Sequence, residues 1–163
     1  MLVYRIASSK HIKDLSGEGA RLYGGRWNHR GTAIVYTSET RSLATVEFLV
    51  HVPFSFAPAD LKIATIEVPD ELAPEEVDLS ALPSNWRGFP PPPELADLGT
   101  SWAQSGRTLL LRVPSAVVEH EHNILINPAR PDMARVALAG ALAGVEDFLL
   151  DRRLARTKGQ RPG

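Results

Sequence analysis

The chain contains no cysteine among its 163 residues. That excludes disulfides, thiolate metal sites and a thiol nucleophile, and it is consistent with a reducing cytoplasm. An excess of either charge is also missing: 18 Lys and Arg meet 19 Asp and Glu, for a formal net charge of −1. The whole-domain basic footprint of a nucleic-acid binder is therefore absent, and no direct nucleic-acid binding is expected. No segment approaches the roughly 20 apolar residues of a bilayer span, and Met-Leu-Val-Tyr-Arg at the start leads into no long apolar run, so neither membrane insertion nor export is expected. GxxxxGKS/T, GxSxG and HExxH motifs are all missing. The five histidines form no cluster with matching distant ligands. His120 and His122, two apart, would share one strand face without a third ligand, so no metal is expected.

What is present is an ordinary globular composition, 44% hydrophobic and 23% charged, in a length suited to one domain. Residues 2–6 are short, apolar and β-prone, with Arg5 near the end. Residues 7–32 carry Ser-Gly-Glu-Gly and Gly24-Gly25 and read as loop or irregular strand. Strand character resumes at 33–36. Residues 41–52 run unbroken to Pro53 with Leu43, Val46 and Val50 at helical spacing, which predicts a helix. A strand follows at 62–68. Residues 69–93 hold seven of the 13 prolines and read as loop, with the run 90–93 leading into a helix at about 94–104. Segments 109–113, 123–126 and 134–139 read as strands, 145–154 as a helix, and 156–163 as a basic, flexible tail after a single domain over 1–155. Without regular βαβ alternation, this pattern predicts an α+β domain on a mixed or antiparallel sheet.

Some residues carry chemistry. Glu47 lies on the helical stripe of Leu43 and Val46, where an unpaired buried carboxylate costs several kcal/mol, on the order of 3 or more, so it needs a partner or a function. A structural ion pair, or a helix rotated to wet Glu47, would satisfy it; so would a place at the floor of a cleft. Arg26 sits in Gly-Gly-Arg-Trp-Asn, where Trp27 offers a flat apolar wall beside a guanidinium able to grip phosphate with two bonds. The alternative is a glycine turn, a core tryptophan and a surface arginine. Tyr36 ends an apolar strand and is either half-buried packing or a stacking surface. Ser115 follows Pro114, where a turn or cap hydroxyl is the ordinary role. Asn123 and Asn127 bracket Ile-Leu-Ile and either orient a loop or touch a ligand.

Taken in order, Gly24-Gly25-Arg26-Trp27-Asn28, Val35-Tyr36-Thr37-Ser38, Leu43-Ala44-Thr45-Val46-Glu47, Val113-Pro114-Ser115 and Asn123-Ile124-Leu125-Ile126-Asn127-Pro128 strongly resemble the RES domain family, named for an arginine, a glutamate and a serine. The match runs from Tyr4-Arg5 to about Leu149. The resemblance implies a fold similar to the ADP-ribosyltransferase catalytic domains, in a bacterial toxin that degrades NAD and is held by a small Xre-type antitoxin plugging its cleft. It implies Arg26, Tyr36, Glu47 and Ser115 as catalytic residues. Arg5, Arg26, Trp27, Tyr36, Asn123 and Arg130 are the expected contacts to NAD. NAD is then the substrate, inorganic phosphate the co-substrate, no prosthetic group is required, and the assembly is a homodimer or a toxin–antitoxin hetero-oligomer. One departure stands out. Members often read Asn-Pro-x-His-Pro where this chain reads Asn127-Pro128-Ala129-Arg130-Pro131, which puts the histidine's role in doubt here.

Phosphorolysis or hydrolysis of the nicotinamide–ribose bond is the reaction this implies, with cytoplasmic NAD depletion as the result. Protein ADP-ribosylation is the enzymatic alternative, and a catalytically silent binding module the non-enzymatic one. A nucleic-acid-directed toxin is opposed by the charge balance.

Overall fold

In the computed structural model, which describes residues 1–138 and 142–155, the strands are β1 (Leu2–Ser8), β2 (Val35–Ser38), β3 (Leu61–Glu67), β4 (Glu75–Glu76), β5 (Leu110–Pro114), β6 (His122–Ile126) and β7 (Leu142–Asp147). The helices are α1 (Glu18–Tyr23), α2 (Arg41–His51), α3 (Pro93–Ser105) and α4 (Met133–Leu138). The described strands form one sheet in the order β4-β5-β6-β2-β1-β3-β7. Neighbours are antiparallel except β4 and β5, which are parallel. The expected mixed sheet with few helices is observed.

Both faces of β5 and β6 are covered, which explains why these strands read as continuous apolar runs rather than alternating ones. Leu110, Ile124 and Ile126 belong to one buried cluster with Val3, Ala64 and Ile66. Their neighbours Leu111, Val113 and Leu125 point the other way, into a cluster with Trp27, Leu95 and Trp102. Helix α3 closes this second cluster. It starts at Pro93, whose fixed φ suits a first turn, and stops at Gly106 in the left-handed conformation (φ 59). Within it, a Cβ at Gly99 would lie 1.9 Å from the Trp27 carbonyl oxygen, so only glycine lets α3 approach the Gly-Gly-Arg-Trp loop.

Helix α2 begins at Thr40, whose side chain accepts the Leu43 N–H at 3.0 Å, and packs on β1 and β2. Its buried positions are Leu43 and Ala44, whereas Val50 is 54% exposed. The buried face is thus turned from the Leu43-Val46-Val50 stripe toward Ala44.

The decisive feature is a split in the sheet. β1 pairs with β3 along its whole length, from Leu2 opposite Glu67 to Ser8 opposite Leu61. With β2 it makes the single pair Tyr4–Ser38. Continuing that register would set Arg5 opposite Thr37 and Ile6 opposite Tyr36; instead these four residues line a cleft.

Three expectations are corrected. Residues 134–139 were expected as a strand, but Met133–Leu138 form α4; Met, Ala, Arg and Leu are good helix formers and Val136 is the lone β-branched residue, while Ala139 lies outside the described residues. Residues 145–154 were expected as a helix. Leu142–Asp147 instead form β7 on the free edge of β3, where pairing with unsatisfied backbone groups outweighs a weak helical period, and a 3-10 turn covers Arg152–Ala155. Within 7–32, expected to be irregular, α1 forms and is braced by the Glu18–Arg21 pair at 2.6 Å. The expected tail, 156–163, lies outside the described residues. Among the described residues no helix is long and apolar enough to cross a membrane.

Candidate active site

The cleft where β1 and β2 part has a volume of about 720 Å³, within the roughly 300–1,000 Å³ of small-molecule sites. Among the described residues its ionisable lining includes Arg5, Arg26 and Arg87 against the single carboxylate Glu47. In a chain of net charge −1, this concentrates positive potential where a ligand enters, as an anionic ligand requires.

Glu47 projects from α2 and is half-buried. One oxygen, Oε1, accepts from Ser115 Oγ at 2.8 Å and from Asn123 Nδ2 at 2.6 Å. Asn123 is fixed in turn, because its Oδ1 accepts from Ser38 Oγ at 2.7 Å. Ser115 is fixed as well: its Oγ accepts the N–H groups of Val117 at 3.1 Å and Val118 at 3.0 Å. Residues from β2, β6 and the turn after β5 therefore hold one carboxylate oxygen in place. The other oxygen, Oε2, bonds no protein group among the described residues. Glu47 likewise forms no ion pair within 4 Å among them, so the structural ion pair weighed from the sequence is not what satisfies it.

The Gly-Gly-Arg-Trp-Asn loop is held by a buried hub. Tyr36 Oη donates to Asn28 Oδ1 at 2.7 Å and accepts the Trp27 N–H at 3.1 Å. Asn28, itself buried, donates to the carbonyls of Ala20 at 2.9 Å and Thr32 at 3.0 Å. A Cβ at Gly25 would come within 2.7 Å of Tyr36 Oη and 3.0 Å of Asn28 Oδ1, so glycine at 25 is what admits the tyrosine hydroxyl. Burial pushes the Tyr36 phenol well above its usual range, only partly offset by the Trp27 N–H. It stays a neutral donor.

Arg26 donates from Nη1 to the Trp86 carbonyl at 2.7 Å and from Nη2 to that of Gly88 at 3.2 Å. Arg5 donates to the Asp14 carbonyl. Burial lowers the pKa of both guanidinium groups, opposed by the nearby Glu47 carboxylate at Arg26 and by Asp14 at Arg5. An arginine remains charged in any such setting. Poorly hydrated cations of this kind gain most from a bound anion.

The structure thus brings Arg5, Arg26, Tyr36, Glu47 and Asn123 together around one cleft. Three expectations change. Ser115, expected to be catalytic, is 2% exposed and outside the cleft lining, where its hydroxyl reaches the cleft only through its bond to Glu47. Trp27 touches the cleft, but it is 2% exposed with its ring among Leu95, Trp102 and Leu111, which leaves no open stacking face. Arg130 lies elsewhere: it donates to the Gly106 carbonyl at 2.6 Å and pairs with Asp132, fastening the end of α3 to the turn before α4. Asn127 is likewise structural, donating to the Ala103 carbonyl at 2.8 Å.

His120 is in the turn before β6 with φ 62, so it shares no strand face with His122. Among the described residues no group of three His, Asp or Glu is placed to hold a metal. Ser38, Asn28 and the segment from Trp86 to Phe89 were not anticipated. Asn28 and Ser38 lie within the motif segments 24–28 and 35–38, where their polar side chains are the signal, but no role was expected of them. The 86–89 segment gave only a Trp-Arg pair inside a proline-rich loop.

Fold and site together define an α+β domain whose split sheet holds a fixed carboxylate facing an arginine-lined cleft. The RES domain family model matches residues 2–151, and the chain belongs to that family. It is 44% identical over 152 residues to a Sphingobium sp. protein named Prs ADP-ribosylating toxin, covering 92% of each chain. It is 34% identical over 159 residues to a Photorhabdus laumondii protein named Toxin Res, covering 97% of this chain and 99% of that one. Among solved structures, the crystal structure of the M. tuberculosis MbcT–MbcA toxin–antitoxin complex matches with a TM-score of 0.69 at 20% identity, over 90% of this chain and 83% of that chain. That last likeness is one of fold.

Proposed function

We propose that this protein is the toxin of a toxin–antitoxin pair and that it breaks the nicotinamide–ribose bond of NAD, passing the ADP-ribosyl group to inorganic phosphate or water. The observation that carries the reading is Glu47, held by Ser115 at 2.8 Å and Asn123 at 2.6 Å with its second oxygen free of partners among the described residues, in a cleft that also presents arginines. Cleavage of the C1′–N bond sends the bonding pair out with nicotinamide, already a good leaving group, and leaves an oxocarbenium-like ribose. A fixed carboxylate stabilises that developing positive charge, and its free oxygen can hold a ribose hydroxyl. A phosphate oxygen, or a water that gives up a proton, then bonds C1′. Arg5 and Arg26 supply charge for the pyrophosphate, and the Tyr36 ring limits how the nicotinamide lies. The relatives' toxin names support the biological role.

A second reading, transfer of ADP-ribose to a protein, is favoured by one observation: the Sphingobium relative, 44% identical, is named an ADP-ribosylating toxin. Incubating the purified protein with NAD, with and without phosphate and with and without cell protein, and identifying the products by mass spectrometry separates the readings. ADP-ribose phosphate, free ADP-ribose and mass-shifted protein are their respective signatures; no nicotinamide release under any condition refutes all three. Tyr23, Phe89 and Val50 line the cleft while 76%, 88% and 54% exposed, an apolar rim suited to a partner that closes it. NAD should therefore weaken antitoxin binding in a titration. Antitoxin affinity independent of NAD, with activity still blocked, would place the inhibition outside the cleft.

A further inference from the structure

The geometry points to Arg87 as the residue that grips the phosphate-bearing part of the ligand at the cleft mouth, a role that sequence reasoning placed on Arg26. The inference takes its ligand class, a pyrophosphate-containing nucleotide, from the proposed function.

Arg26 is committed to the protein. Its two terminal nitrogens donate to the carbonyls of Trp86 and Gly88, the residues on either side of position 87. The backbone around Arg87 is thereby fixed from within the cleft. Arg87 itself lines the cleft, and its Nε donates to the Ala116 carbonyl at 3.2 Å. Ala116 follows Ser115, whose hydroxyl holds Glu47. The same turn therefore sets the carboxylate and the third arginine.

The ends of the guanidinium are weakly engaged. Nη1 meets Glu119 at 2.7 Å, across a pair whose side chains are 37% and 70% exposed, and such surface pairs contribute roughly 0–1 kcal/mol. Nη2 has no protein partner among the described residues. The Trp86 ring lies 5.8 Å from the guanidinium carbon, close enough to limit its swing without neutralising it. An arginine oriented through its Nε, lightly paired at one nitrogen and free at the other, can exchange an exposed carboxylate for a phosphate and gain a two-pronged bond.

The test uses the whole chain as wild type, R87Q, R87K and E119Q, with thermal melting to show that each is folded. ADP-ribose is the calorimetric probe and nicotinamide release from NAD the kinetic one. R87Q should bind ADP-ribose at least about tenfold more weakly and raise the NAD KM by a similar factor with kcat within about threefold, the pattern of a contact made equally in ground and transition states. R87K, which keeps charge but not the fork, should fall between. E119Q should bind as tightly as wild type or more tightly, since it frees the guanidinium.

Equal ADP-ribose binding by wild type and R87Q, or no binding by either, overturns the assignment. So does an E119Q loss matching that of R87Q, which would make the ion pair a loop brace. If wild type binds ADP-ribose through Arg87 but releases no nicotinamide, the NAD-cleavage reading fails and the Arg87 site stands. If wild type turns NAD over and R87Q is indistinguishable from it, the reverse holds.

Discussion

Replacing Glu47 by glutamine changes a charge and almost nothing else. The amide has the same shape, and its carbonyl oxygen can still accept from Ser115 Oγ and Asn123 Nδ2, now at 2.8 and 2.6 Å. The NH2 group takes the place of the oxygen that has no protein partner among the described residues. A full negative charge about 4 Å from an oxocarbenium ribose contributes about 4 kcal/mol at an effective dielectric of about 20. Even if the amide dipole recovers a third of that, about 2.7 kcal/mol is lost, which is about a hundredfold in rate. The E47Q variant should therefore show kcat for nicotinamide release at least about a hundredfold below wild type. Its ADP-ribose affinity should stay within about threefold, because the charge is needed chiefly in the transition state. Its melting temperature should shift by no more than about 4 °C, as expected for a change near 1 kcal/mol in a domain of this size. A folded E47Q enzyme with kcat within about tenfold of wild type would refute the charge argument.

Ser115→Ala removes both the donor to Glu47 and the acceptor for two backbone N–H groups. It should cost about 1–2 kcal/mol in a urea titration and lower kcat less than E47Q does, since Asn123 still donates; an unchanged kcat would detach Ser115 from the carboxylate. Tyr36→Phe keeps the ring but strands the Trp27 N–H and Asn28 Oδ1, so a loss of about 1–3 kcal/mol is expected by the same measurement, and a neutral result would mean the hub is dispensable. Burial first, and Arg112 second, lower the His122 pKa in the folded state, opposed by Glu39 and Glu76. The unfolded chain then takes up that proton at about pH 6.5 while the folded one does not, so stability should rise with pH below about 6.5 and fall as pH drops through that window. His122→Asn should flatten this slope in urea titrations across pH; an identical slope would remove His122 as its source.

The parts of the fold that were legible in the sequence were those dictated by local rules. Pro53 ends α2, Pro93 opens α3, and the apolar runs at β5 and β6 are strands because both faces are covered. The misreading at β7 has a non-local origin: the strand owes its conformation to the free edge of β3, more than seventy residues away in the chain, and no local period reports that. The site divides similarly. Arg5, Arg26, Tyr36, Glu47 and Asn123 could be named from the ordered motif set that resembles the RES family, whereas no local pattern reports that Ser115 and Asn123 reach Glu47 from 68 and 76 residues away. Arg130 could not be placed, because an arginine after Asn-Pro-Ala is as fit to brace α3 as to hold a phosphate, and only its bond to the Gly106 carbonyl decides. Arg87 was hidden for the opposite reason, since a proline-rich loop carries no sign that Arg26 will draw it over the cleft.

The way Glu47 is satisfied bears on the chemistry more than its presence does. A half-buried carboxylate can be stabilised by an arginine or by neutral donors, and the two solutions have opposite consequences. An ion pair would cancel much of the charge before any substrate arrived, leaving little for a developing cation. Here the donors are a hydroxyl and an amide, which hold the carboxylate in place and leave its charge intact. The guanidinium that lies nearby, Arg26, has its terminal nitrogens turned to backbone carbonyls. Those carbonyls restrain it from closing on Glu47, just as they fix the segment that carries Arg87. Weakening them, by Arg26→Lys for example, should therefore disturb more than anion binding, because a cation freed from the wall is free to pair with the one carboxylate whose charge the reaction needs.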